Sequence, residues 1–327
     1  MIQPGPLESR SQVNPSCEVT GFRHISEVVD EANKEIDDFR KGLRRPLITF
    51  SAKLNNAIGG LYPADQVIIA ARTGVGKSAF ANILIKSIFD LNPQSKLVVF
   101  YWSLEMPNRQ QVLRLYSNKF HMPVKRIVTN RNPVSDQLFD EMVTFGEALS
   151  NYNIYFRDLP TDLNLFMKVM ETVHKQFPGF QIINLFDHTR LIRKTNEKSE
   201  EEKITALMEK GVECKNKWGD INIFISQMNR NIEGANKNGR LDIGASPPLL
   251  SDIWGADSTS QFATLIICLH RPELYGKPVY KPYENLPEIS AIDLIACHVL
   301  KQRDGWTGMI PMKHNLSVYR IEDMPTI

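Results

Sequence analysis

The chain has 327 residues, 42% hydrophobic and 23% charged, with 39 Lys plus Arg against 37 Asp plus Glu. That suits one large or two modest domains and is too apolar for a disordered chain. A net charge of +2 excludes a globally basic nucleic-acid binder, so any such contact needs a local patch or stacked subunits. Cys17, Cys214, Cys268 and Cys297 form no CxxC, which argues against a disulfide framework or a zinc ribbon. None of the seven histidines stands at metal-ligand spacing from them. The start, MIQPGPLESRSQ, lacks the apolar core of a signal peptide, and no run of about 18 apolar residues exists to cross a membrane. A soluble protein of a reducing compartment is expected.

Residues 1–20 are polar and proline-bearing, which predicts a disordered or extended tail. Ile25, Val28, Val29, Ala32, Ile36 and Phe39 recur at helical spacing, so a helix is expected within residues 21–45. Its narrow stripe fits either its own domain or another subunit. From residue 46 to 327 no linker interrupts the pattern, which reads as one domain. Strands are predicted at 66–71, 97–102, 153–156, 180–186, 221–226, 263–269 and 291–300. Helices are predicted at 77–91, 108–120, 133–150, 161–176 and 199–218. Alternation of this kind predicts a mostly parallel sheet covered on both faces.

The strongest motif is Ala71-Arg72-Thr73-Gly74-Val75-Gly76-Lys77-Ser78, set between a buried strand and a helix. This is the context of a phosphate-binding loop. Backbone N–H groups from Gly74 to Ser78, with Arg72, Thr73, Val75 and Ala79 around them, converge on phosphate oxygens at a helix N-terminus. Lys77 then reaches the β- and γ-phosphates, and the Ser78 hydroxyl binds magnesium. The first position of GxxxxGK[ST] is alanine here. Asp187, which ends the run QIINLFD, fits the acid that holds a magnesium water shell, although a strand-end carboxylate is also an ordinary cap. Glu105 follows the strand 97–102, where a glutamate is usually solvated surface; a base to activate water is nonetheless needed.

In order, AARTGVGKSAF, YWSLEMP, IINLFDHTRLI, IFISQMNR and VLKQRDGWTG resemble the motifs of DnaB-type replicative helicases, in their RecA-like P-loop ATPase domain. The resemblance runs from about residue 25 to the C-terminus. It implies an ATP-dependent DNA helicase with ATP and Mg2+ as cofactors, acting in a bacterial or phage-infected host cytoplasm. It further implies a homo-oligomer, a six-membered ring around single-stranded DNA. Lys77 and Ser78 then hold phosphates and magnesium, Glu105 activates water, Asp187 is the Walker B acid and Gln227 senses the γ-phosphate. Lys301 and Arg303 resemble the pair that enters the neighbouring subunit's site. Strand alternation puts both on one face, as a two-pronged contact requires. Residues 21–45 resemble the linker helix that packs on a neighbouring subunit.

Three departures qualify this. Only about 20 residues precede the linker helix, so the helical collar that meets primase is not expected, and compact phage or plasmid helicases are the closer analogy; a primase or loader stays a possible partner. After SQMNR the family's arginine and glutamate positions fall on Trp254 and Gly255. Trp254 either stacks on a base, worth ~1–3 kcal/mol, or packs against the sheet. The glycine-rich loop 229–250, with Arg230, Lys237 and Arg240, either faces DNA or is solvated. Third, the Walker B run continues with His188, read as a neutral structural histidine. The alternatives to a helicase are a RecA-like nucleic-acid-binding ATPase without unwinding, and a ring component that does not hydrolyse ATP. The joint presence of Lys77, Ser78, Glu105, Asp187, Gln227, Lys301 and Arg303 argues against the last.

Overall fold

The structure is a computed structural model, which describes residues 22–103, 106–189, 192–193, 197–228, 244–255, 260–284, 286–303 and 305–325. The chain divides into two units between Arg45 and Pro46. In the first, α1 (Ile25–Arg40) is amphipathic, and none of its residues is buried. Its polar face is tied by Arg23 to Glu31 at 2.7 Å and by Arg44 to Glu35 at 3.2 Å.

The second unit is built on one nine-stranded sheet. Its parallel part comprises β1 (Gln66–Ala71), β2 (Leu97–Ser103), β3 (Ile154–Arg157), β4 (Gln181–Asp187), β5 (Ile221–Gln227) and β6 (Leu265–His270). A two-stranded hairpin, β7 (Val279–Tyr280) and β8 (Ile289–Ser290), follows. Then β9 (Leu294–Gln302), β10 (Gly308–Asn315) and β11 (Arg320–Asp323) extend the sheet antiparallel. The strand order is β11-β10-β9-β6-β1-β5-β4-β2-β3. This is the expected mostly parallel sheet, with an antiparallel edge of which the sequence reading placed β9, at 291–300, but not its direction, nor β10 and β11.

Helices cover both faces. They are α2 (Ala52–Ile58), α3 (Lys77–Leu91), α4 (Asn108–Phe120), α5 (Val124–Ile127), α6 (Asp136–Ser150), α7 (Leu163–Gln176) and α8 (Glu200–Trp218). Every residue of β1 is buried, as a central parallel strand requires. Val67, Ile69 and Ala71 pack with Phe80, Leu84 and Ile88 of α3. Ile68 and Ala70 face the opposite core, with Phe166 and Met170 of α7 and Leu207 and Met208 of α8. Side-chain caps set the helix starts. The N–H of Leu138, Leu165 and Glu202 donates to Ser135, Asp162 and Ser199 respectively, so α6, α7 and α8 begin one to three residues later than periodicity alone suggests.

A third, smaller core lies under the β7–β8 hairpin, with Tyr280, Ile289, Leu294, Ala296 and Met309. His298 is fully buried there between the Tyr280 hydroxyl at 2.9 Å and the Tyr283 hydroxyl at 3.3 Å. Burial, helped by His270, pushes its pKa down to about 3. Below pH 6.5 the unfolded chain takes up a proton that the folded chain refuses, so stability falls as pH drops from 6.5 toward 3. At pH 5 this amounts to about 2 kcal/mol. Denaturant midpoints at pH 7 and pH 5 should therefore separate more in the native chain than in His298→Gln. Equal separations would refute this account.

Among the described residues no helix is long and apolar enough to cross a membrane. Cys214, Cys268 and Cys297 are buried free thiols.

Candidate active site

The C-terminal ends of β1, β5, β4 and β2 lie side by side, and open parallel sheets bind ligands at such ends. The loop after β1 turns twice through left-handed backbone, at Gly74 (φ +83°) and Gly76 (φ +114°). Only glycine takes up such angles without strain. A Cβ on Gly76 would also meet Leu316 at 3.0 Å. Val75, buried, anchors the loop from inside, and the Arg271 guanidinium donates to the Gly74 carbonyl at 2.9 Å from outside. Gly76 is the N-cap of α3; its cap carries no side-chain hydrogen bond, and the first turn has no acid. The leading N–H groups are thus left for an anion.

A cleft of about 330 Å³ opens here. Thr73, Gly74, Gly76, Lys77, Ser78 and Ala79 form one wall, and His188 and Gln227 another. The Lys77 ammonium donates to the carbonyls of Ala71 and Arg72 at 3.1 and 3.2 Å, folded onto its own loop. The Arg72 guanidinium reaches the Met228 carbonyl at 3.4 Å, which ties the loop to the end of β5, and Val75 is buried.

Asp187 ends β4 at 2% exposure and accepts the Tyr101 hydroxyl at 3.2 Å. Gln227 ends β5; its amide donates to the Thr73 hydroxyl at 2.8 Å, and its Oε1 lies 3.4 Å from His188 Nε2. His188, read from sequence as structural, is therefore a wall of the cleft. Glu105 lies outside the described residues. Its described neighbours are tied together. The Ser103 hydroxyl donates to the Met106 carbonyl at 2.7 Å, and Gln111 of α4 donates to Ser103 at 3.2 Å.

Sequence reasoning missed Arg114, Leu316 and Tyr319, which close the far side of the cleft. Arg114 lies 5.1 Å from the Tyr319 ring centre, a cation–π contact, and Asn118 holds the Tyr319 carbonyl at 2.8 Å. No motif marks these positions. Arg114 is one polar residue on an ordinary helix, and Tyr319 follows a strand that was not assigned.

Lys301 and Arg303 emerge elsewhere. Gln302 pairs with Leu265, which pairs with Val67 at the start of β1, whereas the phosphate loop leaves β1 at Ala71. Four residues of strand, roughly 13 Å, separate the two levels along the sheet. β9 ends at Gln302 and its register shifts between Ile266 and Ile267, so strand alternation does not by itself align the pair. Each is anchored separately. The Arg303 N–H donates to the Thr264 carbonyl at 2.9 Å, and the Lys301 ammonium donates to the Ser260 carbonyl.

Arg230, Lys237 and Arg240 lie outside the described residues. Trp254 is half-buried and packs against the α7–α8 core, the packed alternative of the sequence reading. The Trp254 backbone N–H donates to the Gln227 carbonyl at 3.2 Å, and Met228 bridges Ile253 antiparallel.

The sheet order, the glycine-turned loop capping α3 and the strand-end Asp187 and Gln227 define a RecA-like P-loop NTPase domain. The model of the DnaB-like helicase C terminal domain matches residues 47–323. The chain belongs to that family. It is 25% identical over 298 residues to the replicative DNA helicase DnaC of Bacillus subtilis (strain 168), covering 90% of this chain and 60% of that protein. It is 25% identical over 296 residues to the replicative DNA helicase DnaB of Geobacillus stearothermophilus, covering 89% and 60%. The chain thus spans about 60% of the length of these curated relatives. A solved ATPase domain shares the fold, with a TM-score of 0.73 at 22% identity over 92% of this chain and 99% of that one. A DnaB-like replicative helicase, solved in a study of its interactions with primase, does so at TM-score 0.72 and 21% identity, covering 90% and 67%.

Proposed function

We propose that this chain is an ATP-driven DNA helicase motor that translocates on single-stranded DNA, with each nucleotide hydrolysed between neighbouring copies in a ring. The observation that carries the reading is the separation just described. Lys301 and Arg303 stand at the opposite end of the strands from the phosphate loop of their own chain, so phosphates that they touch belong to another copy. The exposed apolar stripe of α1 (Ile25, Val28, Val29, Ile36) supports the same reading, as a linker that packs on the next copy.

In this reading the loop N–H groups and Lys77 grip the triphosphate, and Glu105 takes a proton from the attacking water. Arg303 meets charge that develops on the transferred phosphoryl group. Ser78 and Asp187 offer the hard oxygen donors that suit magnesium, beside a cradle of N–H groups open to phosphate. Magnesium, when bound, supplies charge neutralisation on the phosphates. Gln227 touches the loop through Thr73 and carries Trp254 on its own carbonyl. A shift at the terminal phosphate therefore reaches both ends of the segment 229–252, which holds Arg230, Lys237 and Arg240. That segment is the DNA-facing loop of this proposal.

The packed Trp254 favours a second reading, an ATPase that binds nucleic acid without unwinding. ATP turnover with and without single-stranded DNA, alongside strand displacement on a forked duplex, separates the two. Stimulated turnover with displacement is expected. Stimulated turnover without displacement selects the second reading, and absence of turnover overturns both.

A further inference from the structure

The edge that carries Lys301 and Arg303 holds one more cation. α8 ends at Trp218, and the N–H of its left-handed cap Gly219 donates to the Lys215 carbonyl at 2.9 Å. The Gly219 carbonyl accepts the Ala64 N–H at 3.0 Å, which fixes the last turn of α8 against the 62–66 turn. Asp65 in that turn accepts the Tyr62 N–H at 2.7 Å and the Thr264 hydroxyl at 2.8 Å. Thr264 in turn accepts the Arg303 N–H through its carbonyl. These links bring the last turn of α8, which carries Lys215, and the strand end that carries Lys301 and Arg303 to one corner, with the hydrogen-bonded Asp65 carboxylate between them.

The electrostatics agree. Burial, then Arg303 and Lys301, pull the half-buried Lys215 ammonium below its ordinary range, against Asp65. Burial and Arg303 pull Lys301 down likewise. Among the described residues neither Lys215 nor Arg303 has an ion pair within 4.0 Å or donates a side-chain hydrogen bond. A corner with three positive charges and unused donors is relieved by a polyanion.

We propose that Lys215 is a third cation of the face that receives the triphosphate held by the next copy of this chain. The proposal rests on reading Lys301 and Arg303 as acting between copies. A triphosphate fits better than the backbone of DNA because the segment 229–252 leaves β5 at its other end, beyond Gln227.

The test uses the full chain. Lys215→Met keeps the aliphatic stem and removes the charge; its ATP turnover should fall about tenfold or more, and Lys215→Arg should restore it to within about twofold. Mixing Lys215→Met with Lys77→Ala is decisive. The phosphate loop of the first and the cations of the second form an intact site, so turnover should exceed the sum of the separate variants severalfold. A mixture no better than that sum, or wild-type turnover in Lys215→Met alone, overturns the proposal. Arg303→Met mixed with Lys77→Ala serves as the control. If it complements and Lys215→Met does not, Lys215 is wrong and the shared site stands. If neither complements, the shared-site reading fails and takes this proposal with it. Should Lys215→Met melt more than a few degrees low, Lys215→Gln is read in its place, and failure of both to fold counts against the proposal.

Discussion

Lys77→Ala should lower ATP turnover at least ~100-fold while leaving the sheet and its helices intact. The ammonium lies on the Ala71 and Arg72 carbonyls, at the mouth of the cleft that Gly74, Gly76 and Ser78 outline. Its hydrogen bonds to two loop carbonyls contribute about 1 kcal/mol for a half-exposed group. On the proposed reading it meets the terminal phosphates, where preorganised charge counts most. Loss of the side chain therefore barely moves the melting temperature and nearly abolishes hydrolysis. Far-ultraviolet circular dichroism with a turnover assay reads both. A fully active variant would end the assignment of this loop.

Arg303→Ala should reduce turnover ~1,000-fold or more, the scale on which a guanidinium stabilises phosphoryl-transfer charge. Its signature is what happens in mixtures. Arg303 is exposed and level with the start of β1, away from its own phosphate loop. Each variant copy should then silence the site of a neighbour whose phosphate loop is intact. One variant copy costs one site whichever chain Arg303 serves, so the discriminating mixture is with Lys77→Ala: a shared site pairs the intact phosphate loop of one variant with the intact Arg303 of the other, and turnover should exceed the sum of the separate variants severalfold. A mixture no better than that sum would assign Arg303 to its own chain.

The chain was unevenly legible. β1 and α3 fall at 66–71 and 77–91, where the sequence reading put them, because an all-apolar run, a glycine loop and a long apolar helix each have a strong local cause. The antiparallel edge was legible only in β9, expected at 291–300, and not in its direction or its outer strands. β10 contains Pro311, which usually argues against an interior strand. It is tolerated because β11 pairs with β10 only from Met312 onward. β11 is only four residues long, and the β7–β8 hairpin has two residues per strand, too short for any periodicity. The same distinction runs through the site. Asp187 and Gln227 end strands, and Lys77 opens a helix, that announce themselves. Arg114, Tyr319 and Lys215 acquire meaning only when distant segments meet, and no local pattern encodes that meeting.

Placing the gripping loop and the cationic corner at opposite ends of one sheet has a consequence for assembly. On the proposed reading, in which those cations serve the loop of a neighbour, contacts between copies are head-to-tail and not reciprocal. A linear array always wastes one loop at one terminus and one set of cations at the other, whereas a closed circle wastes neither. Turnover per copy should therefore climb with protein concentration and level off only once circles close.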